Sequence, residues 1–239
     1  PSESIAFRLR GGIGYTAPSL FTEETEELIF MNLRPLSDSL EAETSIGGTF
    51  DINLVMSPFS PTTLIVNQLL FYTKIEDPLE LIHFPTNSVL LQGGNLETKG
   101  LETNLEFIYA PFKLTTGYTF TEAKRTDENG NKTTPILVPK HKLGIDILYE
   151  QEKAVRIGIN AYYTGAQYLG NGNQVSDYWI MGAFAEKYLG NFSVFVNLEN
   201  FTNTKQPSNL IPPQSNPSFT ELYTNAIGIY LNGGIRIRL

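Results

Sequence analysis

Cysteine is absent from the chain, and histidine occurs only as His83 and His141. A chain without thiols has no disulfide framework, thiolate zinc site or cysteine nucleophile, and two histidines leave little for metal or general-base chemistry. Basic residues are also scarce: 17 against 25 acidic residues give a formal charge of −8, which disfavours nucleic acid as a partner. We therefore expect no cofactor, no metal and no nucleic acid, and most enzyme classes lose support.

Long apolar runs are missing as well. No stretch reaches the 18 residues of a membrane helix, and no leader peptide precedes Pro1, so we expect a mature product or a piece of a longer protein. What the chain does contain is 12% aromatic residues, 20 Gly and 14 Pro in 239 residues, with only 18% charged. This composition is typical of a β-rich protein, and an all-β unit of this length can be a single domain.

Alternation with a period of two residues runs through most of the chain and predicts ten strands. In the clearest case Ile235 and Ile237 alternate with Gly234 and Arg236. The predicted strands are 3–14, 40–56, 61–75, 96–110, 113–124, 140–150, 153–168, 177–188, 191–201 and 226–239. The strand at 61–75 alternates poorly, because Asn67 and Gln68 interrupt both faces. Helical periodicity occurs once, at Phe21–Met31, and predicts one or two turns.

The connections between these strands alternate between tight turns and long loops. Tight turns fall at 57–61, 111–112, 151–152 and 189–190, and long loops fall at 15–39, 76–95, 125–139, 169–176 and 202–225. In an antiparallel meander this places every long loop at one end, which is the construction of an outer-membrane β-barrel. Long strands that are apolar on one face also suit a lipid bilayer, where a sheet has to close. A soluble barrel or sandwich remains the alternative.

Seven segments, in order, resemble the carboxyl-terminal half of TonB-dependent outer-membrane receptors. They are RLRGGIGYTAPSLF (Arg8–Phe21), NLRPLSDSLEAETSIGGTFDI (Asn32–Ile52), GGNLETKGLETNLEF (Gly93–Phe107), GYTFTEAK (Gly117–Lys124), VPKHKLGIDILYE (Val138–Glu150), GINAYYTGAQYL (Gly158–Leu169) and NLENFTNTKQ (Asn197–Gln206). Leu36 stands where the family usually has an acidic residue after the proline. Leu239 stands where outer-membrane proteins usually end on an aromatic residue.

The resemblance implies an all-β fold, an antiparallel transmembrane β-barrel whose last ten of 22 strands occupy residues 1–239. It also implies that the plug, the amino-terminal strands and the energy-coupling box are absent from this chain. The function implied is active uptake of a scarce nutrient, such as a ferric siderophore, haem, cobalamin or a glycan, across the outer membrane of a Gram-negative bacterium. The implied partners are outer-membrane lipid, the receptor's own plug, the TonB energy-coupling complex and the small-molecule nutrient.

Period-two counting assigns faces to individual residues. Tyr162 and Trp179 are predicted to point inward near the loop ends of neighbouring strands, which makes them hypothetical ligand contacts. Other strand-end aromatics are predicted to form interfacial girdles: Tyr15, Tyr109, Tyr149, Tyr163, Tyr178 and Tyr188. Charged residues predicted to face inward, and to pair with one another, lumen water or the plug, are Arg8, Arg10, Arg156, Arg236, Arg238, Asp51, Glu106, Asp146, Glu150 and Glu199.

Two other function classes stay open at this point. A self-contained ten-strand outer-membrane protease would need a histidine with acidic partners at the outer rim, and only His141 could serve. A passive porin would instead conduct ions in a planar bilayer. TDENGNKTT (Thr126–Thr134) has oxygen-bearing side chains at alternating positions, but Gly130 precedes Asn131 and no acidic residue falls at the twelfth position. This excludes an EF-hand and favours a polar hairpin tip.

Overall fold

The structure, a computed structural model, describes residues 4–22, 25, 31–84, 86–169, 172–205 and 228–237. Fifteen strands lie within these residues, and ten of them have eight residues or more. In chain order they are β1 (Ile5–Thr16), β2 (Glu43–Met56), β3 (Thr63–Glu76), β4 (Leu79–His83), β5 (Ser88–Gln92), β6 (Asn95–Tyr109), β7 (Phe112–Thr126), β8 (Lys132–Thr133), β9 (His141–Gln151), β10 (Val155–Thr164), β11 (Gln167–Tyr168), β12 (Gln174–Val175), β13 (Tyr178–Leu189), β14 (Phe192–Glu199) and β15 (Tyr230–Ile237).

The ten long strands form one antiparallel sheet in the order β1-β2-β3-β6-β7-β9-β10-β13-β14-β15. Each therefore pairs with the next long strand along the chain, and the tight turns lie at one end of the sheet and the long connections at the other. We call these the tight-turn end and the loop end. The short strands belong to the long connections: β4 pairs with β5, β11 pairs with β12, and β8 pairs with the end of β7. No helix among the described residues is long and apolar enough to cross a membrane.

This sheet does not gather its hydrophobic side chains into a core. The buried hydrophobic residues of the described chain are Leu90, Ala123, Leu169 and Val175, and all but Ala123 lie in or beside the hairpins of the long connections. Large apolar side chains on the strands are instead exposed, as with Leu9 at 82% and Ile13 at 86%. A soluble sandwich buries one face of each sheet against a second layer. The described strands form a single layer, so the sandwich alternative does not fit.

The registers divide the sheet into two chemically different faces. One face, which we call the apolar face, carries Leu9, Phe50, Leu105, Ile147 and Ile159. The other, which we call the polar face, carries Arg8, Asp51, Glu106, Asp146 and Arg156. Exposed apolar surface of this extent is not stable in water, which indicates that lipid or protein covers it.

All ten predicted strands are present, with boundaries that differ by a few residues. The prediction 153–168 is too long, because β10 ends at Thr164 and the hairpin β11–β12 begins three residues later. The final prediction, 226–239, is described over Tyr230–Ile237. The predicted helical turns at Phe21–Met31 lie largely outside the described residues.

The irregular strand is confirmed as β3, and its polar interruptions have partners. Gln68 stands on the apolar face, where its side-chain nitrogen donates to the Glu102 carbonyl at 3.1 Å and its oxygen accepts from the Thr103 hydroxyl at 2.6 Å. A polar side chain can occupy an apolar surface when its hydrogen bonds are made within the protein.

Candidate functional site

The polar face collects the charged residues that alternation assigned to it. The registers place Arg8 opposite Asp51, Arg156 between Glu150 and Glu186, and Arg236 opposite Ser193. Glu106, Asp146 and Glu199 occupy positions of the same parity, so the predicted grouping is confirmed for the described residues. Arg238 lies outside them. Most of these charges are near the tight-turn end of the sheet.

Glu186 is the centre of the tightest ionic cluster on this face. It is 4% exposed, and its carboxylate lies 3.0 Å from the Arg236 guanidinium and 3.8 Å from that of Arg156. Ser193 donates a hydrogen bond to it at 2.6 Å, and Tyr188 donates another at 3.3 Å. Two guanidinium groups and two hydroxyl donors therefore surround this buried carboxylate.

Aromatic rings hold the two arginines of this cluster in place. The Arg156 guanidinium lies 5.8 Å from the Phe184 ring centre, and that of Arg236 lies 5.9 Å from Phe195. Each ring covers a glycine of the neighbouring strand, Gly158 or Gly234, where a side chain would collide with it. The cluster therefore connects β10, β13, β14 and β15 across the polar face, by ion pairs and by cation–π contacts.

Sequence analysis did not identify Glu186 as the partner of Arg156 and Arg236. Its alternation signal is weak, because the flanking residues Ala185 and Lys187 do not define an apolar face. The signal that could have found it is its position: Arg156 and Arg236 lie near the tight-turn ends of β10 and β15, and Glu186 is the acidic residue near that end of β13 and β14, the two strands between them.

We expect Glu186→Ala to lower the free energy of unfolding by about 1–3 kcal/mol, because it leaves two arginines and the Ser193 hydroxyl without their shared acceptor. Denaturant unfolding in bilayers, in the whole receptor that carries this chain, measures the loss. The control is Glu150→Ala: the Glu150 side chain is 49% exposed and lies 3.3 Å from Arg156 at the edge of the same cluster. Equal losses for the two variants would contradict the central role of Glu186.

Tyr162 and Trp179 do not share a face. Tyr162 lies on the polar face, where its hydroxyl donates to the Asp146 carboxylate at 3.0 Å. Trp179 pairs in register with Tyr163, and the two ring centres are 5.2 Å apart on the apolar face. The inward orientation predicted for Trp179 is therefore wrong, because DYWIM contains no polar residue after Asp177 to set the alternation. Tyr162 as a ligand contact stays a prediction.

The aromatic girdles need the same correction. Tyr15, Tyr109, Tyr149 and Tyr163 lie on the apolar face near strand ends, as expected of interfacial aromatics. Tyr178 and Tyr188 have the parity of Glu186 and lie on the polar face. The position predicted for Tyr178 in the girdle belongs instead to its neighbour Trp179.

His141 begins β9 at the loop end, on the apolar face. Its Nδ1 is 2.8 Å from the Tyr118 hydroxyl, the two rings stack at 6.1 Å, and Phe120 lies 5.4 Å away. The polar partner of His141 is thus a phenol, whereas a protease histidine needs a carboxylate or a nucleophile.

The loop Thr126–Thr134 was predicted to be a polar hairpin tip and not a calcium loop. The described residues contain no cluster of three or more His, Asp or Glu that could hold a metal ion.

In that hairpin tip the Asp127 side chain is hydrogen-bonded within its own turn. Its carboxylate accepts from the backbone N–H groups of Asn129 and Asn131 at 2.9 and 2.8 Å, and from the Asn131 side-chain amide at 2.8 Å. These donors, the Asn131 side chain first, hold the pKa of Asp127 below its usual range. The loop is a turn that is stabilised by its own aspartate, as the polar-hairpin prediction requires.

The loop end also contains a cavity of about 590 Å³ that sequence analysis did not predict. The first long connection and the β4–β5 hairpin form most of it, and Glu128 from the connection after β7 completes the wall. Gln92 and Glu41 join the first connection and the hairpin by two hydrogen bonds, of 2.7 and 2.8 Å, and the Arg34 N–H donates to the Ser88 carbonyl at 2.9 Å. The wall is mixed in character, with Arg34, Ser37, Asp77, Leu91 and Glu128 among its residues.

A single antiparallel sheet with one lipid-compatible face, one charged face and all its long loops at one end defines a class of protein that crosses a membrane with strands. The family model "TonB dependent receptor-like, beta-barrel" matches residues 1–201, and the chain belongs to this family. That family consists of transport receptors of the bacterial outer membrane, not of enzymes. No curated protein matches the chain.

The fold of the chain is similar to that of several solved receptors and transporters. A variant of the FrpB iron transporter from Neisseria meningitidis has a TM-score of 0.73 at 14% identity, with 98% of this chain and 37% of that one covered. The ferric-catecholate import receptor Fiu of E. coli, in a closed form, has a TM-score of 0.68 at 15% identity, covering 98% and 33%. A mutant of the ferric enterobactin receptor PfeA from Pseudomonas aeruginosa has a TM-score of 0.65 at 16% identity, covering 85% and 33%. The chain spans about a third of the length of these proteins.

Proposed function

We propose that residues 1–239 form the carboxyl-terminal part of the barrel of an outer-membrane receptor, which imports a scarce small-molecule nutrient with the energy of the TonB complex. The observation that carries the proposal is the two-faced sheet: apolar residues are exposed on one face, charged residues pair on the other, and long connections lie at one end. The family match supports it. Ferric siderophores are the favoured class of nutrient, because the similar solved structures are named as iron and ferric-catecholate receptors.

In this proposal the apolar face meets lipid and the polar face lines the lumen. The plug and the strands that complete the barrel belong to the rest of the receptor. The loop-end cavity and the upper polar face would contact the nutrient, and movement of the plug would open the path inward. No covalent chemistry takes place.

The proposal is tested by deleting the gene for the whole receptor and measuring growth and uptake of radiolabelled iron with defined ferric siderophores. Loss of uptake that is restored by the intact gene, but not in a strain without TonB, is expected. Unchanged uptake of every siderophore, haem, cobalamin and glycan tested would overturn it. Ion conductance of the purified receptor in planar bilayers without TonB would instead favour a porin, and peptide cleavage that is lost in His141→Ala would favour a protease.

Tyr162 is our proposed ligand contact on the polar face. Because its ring is 46% exposed while its hydroxyl is fixed by Asp146, it offers a rigid aromatic surface to the lumen. We expect Tyr162→Ala in the whole receptor to weaken binding of the transported ligand about tenfold, or about 1.4 kcal/mol, as measured by titration. Trp179→Ala is the matched control, since it removes an aromatic ring at the same height on the opposite face and is expected to leave affinity unchanged.

A further inference from the structure

Polar and charged side chains concentrate in one sector of the apolar face, formed by the neighbouring strands β3, β6 and β7. At the loop ends of these strands six residues form what we call the outer charged patch: Lys74, Glu76, Glu97, Lys99, Glu122 and Lys124. Nearer the strand centres the same face carries Gln68, Thr103 and Thr116. The flanking strands β2 and β9 carry Phe50 and Ile147 near their centres. The sector therefore differs from the lipid-compatible surface on both sides of it.

The charges of the patch alternate in sign in both directions of the sheet. Across the strands, the register places Glu97 opposite Lys124, and Lys99 opposite Glu122. Along β6 and along β7, each of these glutamates is also two residues from a lysine, so the four form a square with opposite charges on every side. Lys74 continues the alternation on β3, opposite Glu97. A pattern with alternating signs and no net charge is complementary to a copy of itself.

Within one chain the patch leaves ion-pairing capacity unused. Glu122 lies 2.6 Å from the Lys124 ammonium and 3.6 Å from that of Lys99. Glu97 forms no ion pair with any residue that the structure describes, although a lysine stands opposite it on either side. The side chains of Lys99 and Lys124 are about half exposed, and an ammonium group has three donors. Both lysines therefore keep donors available for a carboxylate of another molecule.

The patch lies above the apolar band, where two receptors could touch outside the hydrocarbon. Ten residues from Tyr109 to Lys99 on β6, at about 3.3 Å each and a tilt of about 40°, rise about 25 Å, which is the height of the apolar band of such barrels. On β7, pairing with β9 ends at Phe120 and His141. The part of β7 that carries the patch projects past the end of β9 and is open on that side.

Two copies in one membrane have the same orientation, so a symmetric pair is related by a two-fold axis along the membrane normal. In such a pair each contact occurs twice, with the roles of the copies exchanged. An axis between β6 and β7 brings Glu97 of each copy to Lys124 of the other, and Lys99 to Glu122. A strand tilt of about 40° separates opposite residues of adjacent strands by about 3 Å in height, which a lysine side chain spans.

We propose that the outer charged patch is an interface between two copies of the receptor, related by this two-fold axis. The pairs that join them are Glu97 with Lys124 and Lys99 with Glu122, each between copies. Gln68 and Thr116 lie on the same surface closer to the bilayer centre, where polar side chains favour contact with protein over lipid, as they do between membrane helices. The inference rests on the membrane placement proposed above and is independent of which nutrient is imported.

The test measures energy transfer between donor-labelled and acceptor-labelled copies of the whole receptor, in bilayers of zwitterionic lipid at fixed protein-to-lipid ratios. The acidic variant carries Lys99→Glu and Lys124→Glu. The basic variant carries Glu97→Lys and Glu122→Lys. Heat-modifiable migration on gels confirms that each variant is folded before its association is measured.

The control variant carries Lys153→Glu and Lys205→Glu, and so changes the charge as the acidic variant does. Both lysines are exposed and lie away from the patch, Lys153 in the tight turn after β9 and Lys205 in the connection after β14. We expect the control to associate as the wild type does. Either charge variant alone should associate at least about tenfold more weakly, because like charges then face each other across the axis. A mixture of the acidic and basic variants should recover most of the association.

A wild-type receptor that inserts into the bilayer but stays monomeric overturns the proposal. Equal association of the wild type and both charge variants also overturns it, since the contact then lies elsewhere, as does a mixture of folded variants that associates no better than either alone. Uptake is a separate measurement: a receptor that imports nothing but shows the charge-dependent association leaves this inference intact. A protein that does not insert contradicts the membrane placement, and this inference with it.

Discussion

Ile159→Arg is expected to lower the free energy of unfolding of the whole receptor by about 2–4 kcal/mol, as a charged residue does at the midplane of the lipid-facing surface of a barrel. Ile159 lies at the centre of β10 on the apolar face, between Ile147 and Ala183, and 53% of it is exposed. No carboxylate stands beside it in register. The guanidinium would therefore have to reach the interface or draw water into the hydrocarbon.

The dependence on depth and face makes this prediction specific to a membrane-spanning sheet. Tyr163→Arg, four residues along the same face at the loop end, is expected to cost about 0–1 kcal/mol. Asn160→Arg, on the polar face opposite Asp146, is expected to cost less than Ile159→Arg, because the new charge meets an existing carboxylate. Urea unfolding in phospholipid bilayers, followed by heat-modifiable migration on gels, measures all three variants. Equal losses at Ile159 and Tyr163 would contradict the placement of lipid on the apolar face.

Alternation was enough to predict the ten long strands and the faces of most charged residues, because an amphipathic strand repeats every two residues and a bilayer requires many repeats. The prediction fails where the local sequence does not alternate. In DYWIM the residues after Asp177 are all aromatic or apolar, so nothing nearby states whether Tyr178 or Trp179 belongs with Tyr163. The face of each residue is set by the pairing of β13 with β10, which places Trp179 opposite Tyr163. The register between two strands depends on contacts across the sheet, so a local sequence pattern does not reveal it.

The features missed altogether depend on contacts between distant segments. Glu186 is the centre of the ionic cluster because β15, some fifty residues farther along the chain, brings Arg236 to its carboxylate. The loop-end cavity exists because Gln92 reaches Glu41 across a separation of 51 residues. Neither contact has a periodic signature, and long connections vary freely in composition. Sequence therefore predicted the scaffold well and the site only in part.

Gly100→Ala is expected to be strongly destabilising, by about 3 kcal/mol or more, although it adds a single methyl group. A Cβ built on Gly100 would lie 2.0 Å from the backbone carbonyl oxygen of Phe120 and 2.6 Å from the tip of the Phe71 ring. The ring could move, but the carbonyl belongs to the β7 backbone in the middle of the sheet. Relieving the collision therefore requires β6 and β7 to separate locally.

Two comparisons isolate that cause. Gly11→Ala is the control, since its Cβ would meet only the Gly47 carbonyl oxygen at 3.7 Å, an ordinary contact distance, and we expect little loss of stability. Adding Phe71→Ala to Gly100→Ala removes the ring but leaves the carbonyl collision. Because the backbone obstacle remains, the second substitution should not restore stability in the same unfolding assay. A double variant as stable as Phe71→Ala alone would contradict the prediction, because it would show that the Phe71 ring, and not the β7 backbone, limits the space at Gly100.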